Sequence, residues 1–287
     1  MALQGLDKDV AQSAAKARAM LDEIHGTWWN VYMGGPNSGG HGWTPKLVGE
    51  YVDRGITQFI LTYVGRQSED VALLTTGQGR LDGDEACEMV AQFGFGAGTP
   101  VCLDLEGRTF DRSPQGSLDY ACGWCQAVRA HGLRPGVYSN PRALIPLAAR
   151  GGRPDWVWVA AFVKTTVDPS ADPHRTQKLP DNVFPNPGQR VWQYAGMIGD
   201  QPATVGGVNV DINVADSDCL ATTGGLSMAD AQDILRRLEA IFNALRDGSD
   251  TNLNSLKNIR GHVVSIESDV KKLQDEVKKL QDAHPHR

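Results

Sequence analysis

The sequence lacks the features of three broad classes of protein. No apolar run approaches the roughly 18 to 20 residues that span a bilayer. Its 28 lysines and arginines stand against 34 acidic residues, for a formal charge of −6. This balance argues against a nucleic-acid-binding surface, because phosphate recognition needs clustered basic side chains. The first residues contain no basic stretch followed by an apolar core, so we expect no secretory signal peptide.

Cysteine is scarce, and its pattern does not indicate disulfides. The chain has five cysteines, an odd number, at scattered positions. Cys122 and Cys125 form a CxxC pair, but it falls within a helical pattern and no second pair of ligands accompanies it. We therefore expect buried free thiols in a protein made in a reducing cytoplasm, with no metal site and no cofactor.

What the chain has instead is an alternation of β-like and helical patterns from Gly26 onward. Such alternation predicts βα units and a parallel sheet. An α/β fold, a TIM-like (β/α) barrel of a somewhat degenerate kind, is thus predicted for residues 26–222. Residues 1–25 are predicted to form an N-terminal helix, since 6–24 are rich in Ala, Lys, Arg and Leu. The predicted strands are 27–33, 58–64, 101–105, 136–138, 156–162, 190–194 and 208–214, and the predicted helices are 45–54, 82–93, 117–131 and 141–149.

Residues 226–283 have a purely helical pattern and are predicted to form a coiled-coil stalk. The apolar positions from 256 to 280 alternate spacings of three and four, which is the heptad pattern of a coiled coil. This pattern predicts a parallel homo-oligomer. β-branched residues at a favour two strands and Ile at d favours three, so dimer and trimer both remain open from the residues alone. The positions are Leu256, Ile259, Val263, Ile266, Val270, Leu273, Val277 and Leu280.

Two carboxylates end the apolar run 101–105. Side chains alternate along a strand, so Asp104 and Glu106 are predicted to point to the same side. At the carboxyl end of a barrel strand they would stand at the mouth, where such barrels carry out their chemistry. There they could act as a general acid and its charge partner in cleaving a glycosidic bond, or they could simply be surface acids that end a strand. Their spacing favours neither the retaining nor the inverting geometry.

A second group of candidates lies in two strands near the end of the predicted barrel. The first contains Trp192, Gln193 and Tyr194, and the second contains Asp211 and Asn213. Aromatic rings stack on sugar faces, while amides and carboxylates bind hydroxyl groups. The two aromatic residues could equally be core residues. If both strands run parallel to the others, Trp192 and Asp211 should line the same mouth as Glu106.

In order, these segments resemble a known family. The DxE of residues 104–106, the WQY of 192–194 and the VDIN of 210–213 are similar to those of Chalaropsis-type muramidases. They resemble more closely the glycoside-hydrolase-like domain of actinobacterial wall-associated proteins and phage tail proteins, over residues 26–221. The resemblance implies that Glu106 is the proton donor, Asp104 its partner and Asp211 the acid of the last strand. It also implies a substrate-binding set of Asn30, Tyr63, Tyr138, Trp192, Gln193, Tyr194 and Asn213.

One departure from the muramidase pattern affects the expected chemistry. Muramidases of this type carry an aspartate on the first strand. The segment taken as the first strand here offers only Trp28, Asn30 or Tyr32. We therefore expect a site that lacks one carboxylate, which leaves catalysis and inert binding both open.

The resemblance and the stalk together predict a phage virion protein of the minor tail or fibre-like kind, made in the host cytoplasm. Its partners would be a glycan of the host cell envelope, other virion proteins and further copies of itself, with no nucleic acid and no membrane span. A trimer is favoured over a dimer only because tail fibres are commonly three-fold. The alternatives are an inert structural or adhesive barrel and an endolysin-type muramidase.

Overall fold

The computed structural model describes residues 2–39, 42–176 and 178–223. The chain divides between residues 224 and 225 into two units, and all described residues belong to the first. Eight strands of this unit form a closed barrel, in the order β3-β2-β1-β10-β7-β6-β5-β4, with β4 pairing back to β3. These strands are β1 (Ala2–Asp7), β2 (Trp28–Gly34), β3 (Gln58–Val64), β4 (Pro100–Asp104), β5 (Arg134–Ser139), β6 (Trp156–Lys164), β7 (Arg190–Ala195) and β10 (Asp211–Asp216).

Strands β1 to β7 run parallel, whereas β10 runs antiparallel to both of its neighbours, β1 and β7. The connection from β7 to β10 contains a small hairpin of β8 (Thr204–Val205) and β9 (Val208–Asn209) in place of a helix. Without a crossover helix the chain returns in the opposite direction. Strand β10 therefore begins at the end of the barrel where the other strands finish. A short strand β11 (Ala221–Thr222) pairs with the start of β3.

Six α-helices surround the barrel: α1 (Ala14–Glu23), α2 (Pro45–Asp53), α3 (Thr76–Gln92), α4 (Gly107–Arg112), α5 (Pro114–Ala130) and α6 (Pro141–Ala148). Side-chain caps begin four of them, from Ser13, Thr44, Thr75 and Asn140. Glycines bring α3 and α5 close together, since a Cβ at Gly79 would lie 2.1 Å from the Tyr120 carbonyl oxygen. Within the described ranges, no helix combines the length and apolar character needed to cross a bilayer.

The barrel interior below the mouth is filled by large side chains. Trp28, Trp156 and Trp158 belong to one buried cluster, separate from the larger core between strands and helices. Glycines on the neighbouring strands make room for two of these rings. A Cβ at Gly5 would lie 2.1 Å from the Trp28 ring, and one at Gly136 would lie 2.1 Å from the Trp156 ring. The barrel interior below the mouth is thus a packed core.

The barrel prediction is confirmed, with a correction at its beginning. The prediction of a helix over residues 1–25 was wrong for the first residues, because Ala2–Asp7 is a strand that pairs with both β2 and β10. The helix of this segment, α1, begins only at Ala14, after the Ser13 cap. The N-terminal segment is therefore part of the barrel. The predicted coiled coil of residues 226–283 lies outside the described residues.

Candidate active site

Four carboxylates gather at the end of the barrel where β1 to β7 finish. Asp7 ends β1, Asp104 ends β4, Glu106 follows two residues later, and Asp211 begins the antiparallel strand β10. All four line one cavity of about 100 Å³. The other residues that line it are Tyr32, Thr62, Tyr138, Trp158 and Gln193.

Asp7 is buried and held by polar neighbours. Asn30 Nδ2 donates to Asp7 Oδ1 at 2.9 Å, and Gln193 Nε2 approaches Asp7 Oδ2 at 3.2 Å. The Asn30 amide is itself oriented by Thr62, whose hydroxyl donates to Asn30 Oδ1 at 2.6 Å. Burial raises the pKa of Asp7 from 3.8 to about 6, although hydrogen bonds from Asn30 and Tyr32 oppose the rise. Asp7 therefore changes charge close to neutral pH.

Asp211 faces Asp7 in the register of β1 and β10. Gln193 Nε2 donates to Asp211 Oδ2 at 3.0 Å, so one amide group serves both carboxyls. Burial, followed by repulsion from Asp7, raises the pKa of Asp211 to about 7. Because the two carboxyls interact, protonation of one changes the pKa of the other, and the apparent pKa values belong to the pair.

Asp104 and Glu106 differ in exposure. Asp104 is buried, and its Oδ1 atom has no hydrogen-bond partner in the described part of the chain. Burial and the negative charge of Glu106 hold the pKa of Asp104 well above its usual range. Glu106 is exposed at the rim, and partial loss of water around its carboxyl raises its pKa, against the opposing charge of Arg108. The rim thus carries a solvent-accessible acid above a buried one.

The turn that carries Glu106 is held by Gln67, a residue of the loop after β3. Gln67 Nε2 donates to the Asp104 carbonyl at 3.2 Å, and Gln67 Oε1 accepts from the Glu106 amide at 3.1 Å. Thr109 Oγ1 donates to the same Oε1 atom at 2.8 Å. Nothing in the sequence pattern singled out Gln67, because the contact joins two loops distant in the chain.

Four of the seven predicted substrate-binding residues lie on the inner side of the barrel. Tyr138 and Gln193 line the cavity, and the Tyr138 hydroxyl donates to Gln193 Oε1 at 2.8 Å. Asn30 contacts Asp7, whereas Asn213 lies deeper and accepts from Trp158 Nε1 at 2.9 Å. Whether any of them binds substrate stays a prediction.

The other three predicted residues lie on the opposite side of their strands. The Tyr63 hydroxyl donates to Glu85 at 2.7 Å, Trp192 Nε1 to the Ala161 carbonyl at 3.0 Å, and the Tyr194 hydroxyl to Gln4 at 2.8 Å. Side chains alternate along a strand, so a strand that points Gln193 inward must point both of its neighbours outward. The expectation that Trp192 lines the mouth with Glu106 was wrong, and the structure likewise places Tyr63 and Tyr194 away from the carboxylates.

The sequence reasoning missed four residues that line the cavity. Asp7 supplies the first-strand acid, so the expectation of a site lacking one carboxylate was wrong: the strand beginning at Trp28 is the second. Tyr32, Thr62 and Trp158 also line the cavity. Alternation within the predicted strands could have found Trp158, since it is two residues from the inward-facing Trp156.

No group of three or more His, Cys, Asp or Glu side chains within residues 2–39, 42–176 and 178–223 is arranged to hold a metal ion. The five cysteines are buried free thiols, as their spacing predicted. The side chains that line the cavity at the mouth are four carboxylic acids, one amide, two phenols, one aliphatic hydroxyl and one indole.

A closed (β/α) barrel with paired carboxylates at its mouth is an arrangement suited to glycoside hydrolysis. Residues 28–215 match the family described as the Rv2525c-like, glycoside hydrolase-like domain, and the chain belongs to this family. The match begins at the second strand and so does not include Asp7. A search of curated proteins finds no significant match.

Solved structures share the fold. An uncharacterised B. stearothermophilus protein superposes with a TM-score of 0.54 at 18% identity, covering 76% of this chain and 100% of that one. The spore cortex lytic enzyme SleM of Clostridium perfringens gives 0.51 at 16% identity, covering 75% and 67%. The Tat-secreted Rv2525c of Mycobacterium tuberculosis gives 0.49 at 16%, covering 74% and 93%. At these identities the first two likenesses show the barrel fold alone.

Proposed function

We propose that the barrel is a glycoside hydrolase that acts on a cell-envelope glycan of the peptidoglycan kind, with Glu106 as the proton donor. The observation that carries this proposal is the convergence of four carboxyls with raised pKa values on one cavity. A glycosidic oxygen needs an acid that still holds its proton near the working pH. Glu106 has the raised pKa and the exposure that this role requires.

The arrangement of strands supports a division of roles. Strands β4 and β10 are four positions apart in either direction around the eight-stranded barrel, so Asp104 and Asp211 stand on opposite walls. A glycosidic bond between these walls would have the acid Glu106 on one side. On the other side, Asp7 and Asp211 become negatively charged near neutrality, where they can stabilise positive charge at the sugar carbon or activate water.

The dimensions of the cavity favour a second candidate, binding of glycan without cleavage. A volume of about 100 Å³ holds a functional group or a few waters, whereas ligand sites usually measure about 300–1,000 Å³. An adjoining cavity of about 290 Å³ shares Asp7, Tyr32 and Asp211 with it and could seat the rest of a sugar. An inert adhesive module would use the same surface without turnover.

We further propose, from sequence alone, that the barrel belongs to a phage minor tail or fibre-like protein made in the host cytoplasm, which assembles as a trimer through residues 256–280. The support is the uninterrupted heptad pattern and the resemblance to phage tail domains. In this setting the barrel would meet the host envelope. An endolysin-type muramidase is the alternative, and the heptad pattern argues against it.

The test is release of reducing sugar from actinobacterial cell walls by the purified full chain. The matched pair of variants is Glu106→Gln and Glu50→Gln, the latter on the exposed side of α2. We expect Glu106→Gln to lose about two to four orders of magnitude of activity, the usual scale of general acid catalysis, while Glu50→Gln keeps full activity. Equal activity of both variants would remove Glu106 from the mechanism. Wall binding without release by the wild type would establish the adhesive alternative.

A further inference from the structure

A cleft lined by arginines lies at the opposite end of the barrel from the carboxylates. Its walls include Arg134 at the start of β5, Asp155 just before β6 and Gln189 just before β7. Because these strands are parallel, their starting ends lie together, away from the mouth. The cleft has a volume of about 650 Å³, within the range of small-molecule sites.

Four arginines line this cleft, and only two of them pair with carboxylates in the described part of the chain. Arg129 binds Asp155 at 2.6 Å, and Arg150 binds Asp119. The lining arginines are Arg129, Arg134, Arg150 and Arg153.

The other two arginines contact backbone carbonyls. Arg134 donates to the carbonyls of Asp218 at 2.6 Å and Gly188 at 3.3 Å. Arg153 donates to the Ala148 carbonyl at 3.0 Å, and its guanidinium lies 5.6 Å from the centre of the Phe184 ring. Carbonyl oxygens carry no net charge, so neither positive charge is neutralised by its partner.

The cleft therefore concentrates arginines within an acidic protein, and acidic side chains stand near it. The carboxylate of Asp218 lies next to Gly188 and accepts from Ser217 at 3.1 Å. Asp216 also lies beside the cleft, where its carboxylate accepts from the backbone nitrogens of Gly188 at 2.9 Å and Gln189 at 3.2 Å. Asp119, Asp155, Asp216 and Asp218 together therefore equal the four arginines in number. The whole chain has a formal charge of −6, so a cluster of four arginines is a local feature, and what distinguishes it is that Arg134 and Arg153 have only carbonyl hydrogen-bond partners among the described residues.

Guanidinium groups provide five N–H donors in a planar fork that fits the oxygens of phosphate. Arg153 uses one of these donors for a hydrogen bond to the described residues, and Arg134 uses two. We propose that this cleft binds a phosphoryl group, carried by a small phosphate ester or by a chain of phosphate units. Carbonyl contacts hold both guanidinium groups in place, and the Phe184 ring also packs against that of Arg153, so little side-chain freedom is lost on binding.

The experiment is a calorimetric titration of the full-length protein with pyrophosphate as the probe, at low and moderate salt. We expect saturable binding of one pyrophosphate per chain, weakened about tenfold by Arg153→Gln, which removes one charged contact. Arg142→Gln is the matched control, because Arg142 is an exposed arginine outside the cleft, paired with Asp111 at 2.9 Å. Its affinity should equal that of the wild type. An equal loss of pyrophosphate affinity in both variants would show that only the overall charge of the protein matters, and it would overturn the proposal.

Arg134→Gln provides a second variant, checked for folding by thermal unfolding because Arg134 also joins β5 to neighbouring carbonyls. If Arg134→Gln does not fold, the Arg153→Gln variant alone tests the proposal, because Arg153 is exposed and its replacement should not disturb folding. Glu106→Gln should bind pyrophosphate normally, which separates this proposal from the one made for the mouth. Tighter binding of polyphosphate than of pyrophosphate would assign a polymer as the ligand, and equal binding a terminal phosphate. No saturable binding, or preference for an oligonucleotide over polyphosphate, would refute the phosphate cleft.

Discussion

Asp7 and Asp211 face each other across the β1–β10 pair, and the single amide nitrogen of Gln193 contacts both carboxyls, at 3.2 and 3.0 Å. The relationship depends on the direction of β10. Asp211 was expected at the mouth because it would end a parallel strand. It does lie there, but because it begins an antiparallel one. The barrel thereby places two acids with pKa values of about 6 and about 7 side by side.

Replacing Asp7 with Asn should lower glycan hydrolysis strongly. The variant keeps the size of the side chain but removes the charge that develops near neutral pH, so we expect a loss of about two to three orders of magnitude in kcat. The pH–rate profile should also lose one ionisation near neutrality. The measurement is wall cleavage between pH 4 and 9. Asp22→Asn, on α1, is the control and should behave like the wild type; an unchanged profile in Asp7→Asn would exclude Asp7 from the chemistry.

The raised pKa values make stability depend on pH in a definite direction. Below pH 3.8 both acids are protonated in the folded and unfolded states and contribute nothing. Between pH 3.8 and about 7 the folded state binds more protons than the unfolded one, so stability falls as pH rises, and the loss is complete above the folded pKa values. For Asp7 alone the loss is about 1–3 kcal/mol.

Thermal unfolding at pH 5 and pH 8 measures this effect, and we expect the lower melting temperature at pH 8. Asp211→Asn should reduce the difference, because its amide oxygen can still accept from Gln193 while no charge is buried. If the variant keeps the full pH dependence, Asp211 is not one of the groups responsible.

Gln67 should act as a positioning residue for Glu106. Gln67→Leu removes its contacts to the Asp104 carbonyl and the Glu106 amide, so the acid would no longer be held in one orientation. We expect kcat to fall about tenfold to a hundredfold with KM nearly unchanged. Steady-state kinetics on a soluble wall fragment measures kcat and KM separately. The control, Gln115→Leu, removes a side chain that donates hydrogen bonds to Asp119 within α5, away from Glu106. A rise in KM at constant kcat would indicate a binding role instead.

The tryptophans of β6 and β7 should differ in their effect on ligand binding. Trp158 lines the cavity and contacts Tyr138, with ring centres 5.0 Å apart, whereas Trp192 packs outside the barrel. We expect Trp158→Phe to weaken binding of a soluble wall fragment about tenfold, and Trp192→Phe to leave it unchanged. Calorimetric titration, with thermal unfolding as a check on folding, compares the two. A loss confined to Trp192→Phe would contradict the assignment of inner and outer faces.

Part of this site follows from local patterns, and part of it does not. The position of Asp104 and Glu106 follows from the alternation of side chains at the end of an apolar strand, and this alternation can be recognised from neighbouring residues in the sequence. The strand of Asp7 was missed because the helical composition of residues 6–24 was taken to include it. The strand also contains Gly5, a residue unfavourable in strands. Gly5 is there because the Trp28 ring occupies the space of a side chain. Such a requirement comes from the closed barrel, and the six residues of β1 do not reveal it.

The last prediction concerns the predicted stalk of residues 256–280, which lies outside the described residues. Val263, Val270 and Val277 at a, with Ile259, Ile266, Leu273 and Leu280 at d, give a mixed core that fits either two or three strands. The e and g positions offer no attractive pairs between chains to enforce a dimer, and they do not settle the number of strands. We expect a trimer only because tail fibres are commonly three-fold. Light scattering of the full chain, beside a version ending at residue 225, measures the difference. We expect a trimer for the first and a monomer for the second. A monomeric full chain would refute the stalk. A dimer would refute only the number of strands, and it would mean that the β-branched residues at a decide the oligomeric state over the Ile residues at d.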